Sequence, residues 1–155
     1  MVKVLMVCLG NICRSPLAEG ILRSKVDQSN IFVDSAGTGG WHIGELPDTR
    51  SIEIAKQNQI NISDQRCRKF KVNDFEVFDI IYVMDRSNLS DVLSLADTET
   101  HRKKVKMILN IKEKEHAMEV PDPYYGGADG FEEVYKLINQ ACNMIAEKLN
   151  SKQSS

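Results

Sequence analysis

Residues 2–16 read Val2-Lys3-Val4-Leu5-Met6-Val7-Cys8-Leu9-Gly10-Asn11-Ile12-Cys13-Arg14-Ser15-Pro16, and this stretch decides the fold. Val2 to Val7 are a short, apolar, β-branched run, which predicts a buried strand. Ser15 is a good N-cap and Pro16 a good first helical residue, so a helix is expected to begin there. The residues from Cys8 to Arg14 must then reverse the chain within a small space. Their amide N–H groups turn inward beside a helix N-terminus, and such a concavity binds anions.

The residue types supply a chemistry for that concavity. A ring of N–H dipoles, a helix N-terminus and a guanidinium all favour the ionised sulfur of Cys8, which makes it a strong nucleophile. Arg14 presents a planar fork of donors that matches two phosphoryl oxygens. Gly10 removes a side chain where the backbone approaches a ligand, and it is expected to permit positive φ. Asn11 tolerates the left-handed region, and its amide can tie the loop together. The Ser15 hydroxyl is suited to donate to the Cys8 sulfur. A cysteine after a first strand can also be a plain buried hydrophobe. The strand before, the cap and proline after, and the Gly-Asn between favour the nucleophile.

A second constellation is Val120-Pro121-Asp122-Pro123-Tyr124-Tyr125-Gly126-Gly127. Two prolines stiffen the segment around Asp122. A rigidly presented carboxyl suits a general acid that protonates a leaving oxygen and then activates water. Alone, an Asp among Pro and Gly is an ordinary turn residue; beside the Cys8 loop it becomes a catalytic candidate. Tyr124 and Tyr125 lie in the same turn and are candidates to wall a groove for an aromatic substrate.

VCLGNICRSP near the start together with DPYYGG from Asp122 resembles the low-molecular-weight protein tyrosine phosphatases. The likeness runs from Val4 to about Leu149 and includes Asp34-Ser35-Ala36-Gly37-Thr38, Trp41, Met84-Asp85 and Asn88. It implies hydrolysis of phosphotyrosine in proteins, and of small aryl phosphates, through a phosphocysteine intermediate with no metal or other cofactor. Carried over by position, Cys8 is the nucleophile, Arg14 binds phosphate, and Asp122 is the general acid and base. Leu9, Gly10, Asn11, Ile12 and Cys13 complete the phosphate-binding loop. Asn11, Ser15 and Ser35 match a hydrogen-bond network that supports it, and Trp41, Tyr124 and Tyr125 match the mouth of the cleft. Cys13 corresponds to a resolving thiol that protects Cys8 by a reversible disulfide. Inorganic phosphate and related oxyanions are the implied inhibitors. Many members carry a histidine where this chain reads Ser63-Asp64-Gln65-Arg66-Cys67-Arg68, so the sulfur is expected to be tuned somewhat differently here.

Composition bounds the alternatives. One domain is expected from 155 residues, a length that buries about 70% of the unfolded surface. The phosphatase domain is expected over residues 1–150, with a fraying polar tail at 151–155. Apolar residues are 42% and charged residues 27%, ordinary for a globular protein. A net charge of −2 argues against a nucleic-acid partner, and His101-Arg102-Lys103-Lys104 reads as a solvated loop or helix end. No apolar stretch approaches the roughly 20 residues that span a bilayer, so no membrane partner is expected. The short apolar opening leads straight into the motif and does not read as a signal peptide. A cytoplasmic location is expected, which also suits four cysteines outside a small secreted framework. Of these, Cys142 reads as core and Cys67 has no evident role. No Cys or His pair has metal-finger or H-E-x-x-H spacing.

Strands and helices are expected to alternate. The first helix is read over about 15–27, a strand over 31–35, a helix over 47–59, and further strands over 79–84 and 105–111. Leu89, Val92, Leu93 and Ala96 mark an amphipathic helix capped by Asp85. Val134, Leu137, Ile138, Ala141, Cys142, Ile145 and Leu149 form the apolar stripe of a last helix, with Asp129 and Glu132 as its capping box. Together these predict one α/β domain of three layers: a four-stranded, parallel, doubly wound sheet with helices on both faces. Ligands bind such sheets outside the carboxyl ends of the strands, where strand order reverses, which is where the Cys8 loop would lie.

Three other readings use related parts. An arsenate reductase would need a downstream cysteine pair, whereas Cys67 stands alone. A protein-arginine phosphatase is expected to carry threonine at Ile12. A silent phosphate-binding module would not need Cys8, Arg14 and Asp122 together. A P-loop NTPase is excluded because the G-K-[ST] ending is missing.

Overall fold

The computed structural model describes residues 1–111, 119–124 and 128–153. The first strand, β1 (Val2–Cys8), pairs in parallel with β2 (Ile31–Gly37) on one side and β3 (Ile80–Val83) on the other. β4 (Val105–Met107) pairs in parallel with β3, giving the order β2-β1-β3-β4. A central parallel strand is covered on both faces, which is why β1 is apolar and buried without a break from Val4 to Cys8. Val4, Met6 and Cys8 face a core built with α1 (Arg14–Arg23) and α6 (Ala128–Gln153). Leu5 and Val7 face the other core, with Phe75 of α3 (Asp74–Val77) and Val92 of α4 (Arg86–Leu93). The doubly wound, three-layer expectation is met. The chain goes from β1 to β2 on one side and then crosses back to β3 on the other, so strand order reverses beside β1, whose carboxyl end carries the Cys8 loop.

Element ends differ from expectation for identifiable reasons. α1 starts at Arg14 with Cys13 as its N-cap and no side-chain cap bond. Ser15 is therefore inside the first turn and not the cap, because its hydroxyl is committed to Cys8 and Asn11. The helix stops at Arg23 and not near Asp27, whose carboxylate instead accepts bonds from Ser29 and Asn30 in a local turn that competes with helix. α2 (Thr49–Gln57) is capped by Asp48, which accepts from the Arg50 N–H at 2.8 Å. Asp85 caps α4 as expected, accepting from the Asn88 N–H at 2.8 Å. The fourth strand ends at Met107 and becomes a 3-10 turn over Ile108–Ile111. Ile108 and Leu109 are buried there against the α1–α6 side, and a short apolar run does not distinguish the two conformations. α6 begins at Ala128, so Asp129 lies in its first turn and not at a cap, and the helix continues through Gln153 into the expected tail. The basic run belongs to α5 (Glu99–Lys103), with only His101 buried, stacked on Phe75. No helix of the described residues is long and apolar enough to cross a membrane.

Two buried details fasten α1 and the Cys8 loop to β2. Glu19 is buried on α1, where it accepts from Ser35 Oγ at 2.7 Å and pairs with Arg23 at 3.0 Å. Burial pushes its carboxyl up from the ordinary 4.5 to about 7, against the Ser35 bond and Arg23, which favour the ionised form. At the end of β2, a Cβ on Gly37 would lie 2.8 Å from the Leu9 carbonyl oxygen and 3.0 Å from the Asn11 nitrogen. Both are backbone atoms that cannot step aside.

Gly37→Ala is accordingly expected to cost about 1 to 3 kcal/mol, read as a lower urea midpoint with unchanged slope. Glu19 holds its proton more tightly folded than unfolded, so its share of stability is complete below about pH 4.5 and is lost as pH rises through about 7. Glu19→Gln keeps an acceptor for Ser35 without the buried charge. Denaturation curves should show the variant roughly 1 to 3 kcal/mol more stable than the parent at pH 8, converging below pH 4.5.

Candidate active site

The turn after β1 keeps its N–H groups inward because its carbonyls are taken from outside. The Cys8 carbonyl accepts from the Thr38 N–H at 2.9 Å and the Leu9 carbonyl from Gly39 at 2.8 Å. The Ile12 carbonyl accepts from the Asp48 N–H at 2.7 Å, and the Cys13 carbonyl from Ser51 Oγ at 3.3 Å. The Asn11 carbonyl accepts from the Cys67 thiol at 2.8 Å. The left-handed residue of the turn is Asn11, at φ 57°, and not Gly10. A Cβ on Gly10 would lie 3.4 Å from His42 Cδ2, at ordinary contact distance.

Cys8 is 2% exposed and its sulfur is surrounded by donors. Ser15 Oγ lies 3.0 Å from Sγ, and the Asn11 N–H donates to it at 3.3 Å. Behind the sulfur, Asn11 Nδ2 donates to Ser15 Oγ at 2.8 Å and to Ser35 Oγ at 3.0 Å. The network expected of Asn11, Ser15 and Ser35 is thus closed, and it continues to Glu19. Arg14 is buried with Nη1 donating to Asp85 at 2.6 Å and to the Val120 carbonyl at 2.9 Å. Its Nη2 lies 3.7 Å from Asp122 Oδ2. Burial works against its charge, but Cys8, Asp85 and Asp122 outweigh burial and hold the guanidinium above its ordinary value.

These groups share a cleft of about 350 Å³ lined by Cys8, Leu9, Gly10, Ile12, Cys13, Arg14, Trp41, His42, Asp122 and Tyr124. Asp122 arrives from the far end of the chain, with Oδ1 accepting from the Tyr124 N–H at 3.0 Å and its side chain 40% exposed. Trp41 and Tyr124 line this cleft and are exposed. Tyr125 lies outside the described residues. Cys13 is 4% exposed, and burial, with Asp48 and Cys8 nearby, pushes its thiol far up.

Four contributors have no clear signal in the sequence. His42 lines the cleft with Nδ1 2.9 Å from Glu45. Arg50 donates to the Tyr124 carbonyl at 2.9 Å and lies 4.5 Å above the Phe131 ring, so it braces the Asp122 segment. The histidine-free stretch still reaches the loop: the Arg68 N–H donates to Asn11 Oδ1 at 2.9 Å, beside the Cys67 bond. Only the last two could have been suspected, from the departure at residues 63–68.

Residues 3–155 match the family profile described as low molecular weight phosphotyrosine protein phosphatase. A phosphatase of that name from Schizosaccharomyces pombe is 41% identical over 150 residues, covering 93% of this chain and 95% of the relative. A crystal structure of a protein tyrosine phosphatase from Entamoeba histolytica, with Hepes in its active site, superposes with a TM-score of 0.90 at 34% identity and 99% coverage of both chains. A Drosophila arginine phosphatase superposes at 0.85 with 34% identity, covering 96% of this chain and 98% of that one. A parallel sheet with a thiol held in a ring of inward N–H groups therefore has its place among known proteins: this chain belongs to the low molecular weight phosphotyrosine protein phosphatases, which are hydrolases.

Proposed function

We propose that the protein hydrolyses phosphotyrosine in proteins, and small aryl phosphates, through a phosphocysteine on Cys8 and without a metal. One observation carries this reading: Cys8 lines one cleft with Arg14 and Asp122, the Asn11 N–H donates to its sulfur at 3.3 Å, and Ser15 Oγ lies 3.0 Å from it. The ionised sulfur attacks phosphorus in line while the loop N–H groups of residues 9–14 and the Arg14 fork take the equatorial oxygens. Asp122 gives its proton to the departing phenoxide and then takes one from the water that cleaves the S–P bond. Leu9, Ile12, Trp41, His42 and Tyr124 flank the path to the sulfur, and that depth favours a long aromatic phosphate over the shorter phosphoserine. Hepes, which carries a tetrahedral sulfonate, occupies the active site of the Entamoeba neighbour; inorganic phosphate and similar oxyanions are proposed to inhibit here in the same way.

The finer assignments rest on the same geometry. Cys13, which lines the same cleft as Cys8, is the proposed resolving residue: peroxide oxidises Cys8 to the sulfenic acid, Cys13 gives up its proton, its thiolate attacks that sulfur, and water leaves. Burial, which pushes the Cys13 thiol up, slows that deprotonation. Four free cysteines support a reducing, cytoplasmic location. Ile12 in place of threonine favours phosphotyrosine over phosphoarginine, although one structural neighbour is an arginine phosphatase.

Cys8→Ser should abolish turnover of a phosphotyrosine peptide. Asp122→Ala should lower kcat by about 100- to 1,000-fold on that peptide, and by much less on an aryl phosphate whose leaving group needs no proton. Activity should persist in excess chelator, and a strict metal requirement would refute the scheme. Faster turnover of phosphoarginine than of phosphotyrosine peptides would move the assignment to the arginine class.

A further inference from the structure

Every polar group of Asn11 is engaged. Its N–H reaches Cys8 Sγ, its Nδ2 reaches Ser15 and Ser35, its Oδ1 takes the Arg68 N–H, and its carbonyl takes the Cys67 thiol. Asn11 is also the left-handed residue of the turn, a conformation that holds only where the surroundings over-determine it. The orientation of the Asn11–Ile12 peptide therefore depends on those partners. In a trans peptide the carbonyl and the following N–H point in opposite directions. An Asn11 carbonyl turned outward to Cys67 sets the Ile12 N–H inward, and Ile12 lines the cleft.

The other outward carbonyls at Cys8, Leu9 and Ile12 are held by backbone N–H groups, which every residue except proline supplies. At Asn11 the donor is a side chain, so its identity matters. Cys67 is 4% exposed, and its main chain is fixed on both sides: its N–H donates to the Glu45 carbonyl and its carbonyl accepts from Gly44, each at 2.8 Å. With the backbone held, the sulfur lies 2.8 Å from the Asn11 carbonyl and 3.8 Å from that of Leu46, so Asn11 is the nearer acceptor. Burial, with Glu45 and Cys8 nearby, pushes the thiol up to about 11, so it keeps the proton it donates at neutral pH.

We infer that Cys67 is a positioning residue for oxyanion binding: its thiol anchors the Asn11 carbonyl and so keeps the Ile12 N–H turned toward the phosphoryl oxygens. The inference rests on the proposed use of the loop as a phosphate site, though not on the identity of the nucleophile. It gives the cysteine without an evident role in the sequence a task that alanine could not perform and serine could.

The test compares Cys67→Ala, which removes the donor, with Cys67→Ser, which loses similar volume but keeps a hydroxyl. Calorimetric titration with inorganic phosphate should show about 5- to 20-fold weaker binding for the alanine variant, with at least half of that loss, on a logarithmic scale, recovered by serine. KM for an aryl phosphate should follow the same order. In an amide spectrum, the Ile12 N–H should move on adding phosphate to the parent and the serine variant, and much less in the alanine variant. Equal phosphate affinity in the parent and the alanine variant, or equal losses in the two variants, would overturn the inference. Should alanine prevent folding, an Ile12 amide in the parent that is insensitive to phosphate would overturn it alone. Repeating the titration in a Cys8→Ser background separates the two readings. Turnover by Cys8→Ser would remove the proposed chemistry and leave the Ala–Ser contrast standing or falling by itself.

Discussion

A backbone that turns its N–H groups inward must find partners for its carbonyls outside, and the rest of the structure depends on meeting that constraint. Unpaired buried carbonyls would each cost about 1 to 3 kcal/mol, enough together to unfold a turn of this size. Five loop carbonyls are met by Thr38, Gly39, Cys67, Asp48 and Ser51. These donors come from the segment after β2, from the start of α2, and from the strip that leads to α3. The segments between β2 and β3 are thus the outer wall of the Cys8 loop as well as connections.

The charged half of the site is built by the same economy of parts. Arg14 belongs to the first turn of α1, yet its Nη1 is fixed by Asp85 at the end of β3 and by the Val120 carbonyl just before Asp122. One guanidinium therefore aligns the loop, the β3 end and the acid-bearing segment. Its burial leaves the charge uncompensated by water, so the nearby carboxylates and an incoming phosphate are felt strongly. Asp122 is much more exposed, which suits the proton exchange proposed for it. Prolines on both sides limit its freedom without immersing it.

Much of this was legible beforehand. The buried centre strand, the capped helix at Asp85 and the apolar stripe of the last helix follow from local periodicity and cap chemistry, which act over a few residues. The misreadings have a common cause. Ser15 was expected as a cap because Ser caps helices in general, but a more valuable acceptor, the Cys8 sulfur network, lies within its reach. Positive φ was expected of Gly10 because glycine tolerates it, whereas Asn11 adopts it and ties down every polar group it carries. Ile108 and Leu109 satisfied a strand pattern and were claimed by the core as a 3-10 turn.

The sequence by itself determined the family and the layering, and it named the groups of the proposed chemistry: a thiol, a guanidinium and a carboxyl, with a strand–turn–helix unit that puts the first two beside a helix N-terminus. These are local properties, written in residues a few positions apart. Only the tertiary structure decided what holds the turn open, because its partners Gly37, Asp48, Ser51, Cys67 and Arg68 lie tens of residues away. Strand order and loop path bring them close, and no short-range pattern marks a residue as the donor to a distant carbonyl or as the glycine under another segment's backbone. Cys67 shows the difference most clearly: a featureless cysteine in the chain is, in the fold, the thiol that donates to the carbonyl of the loop's left-handed residue.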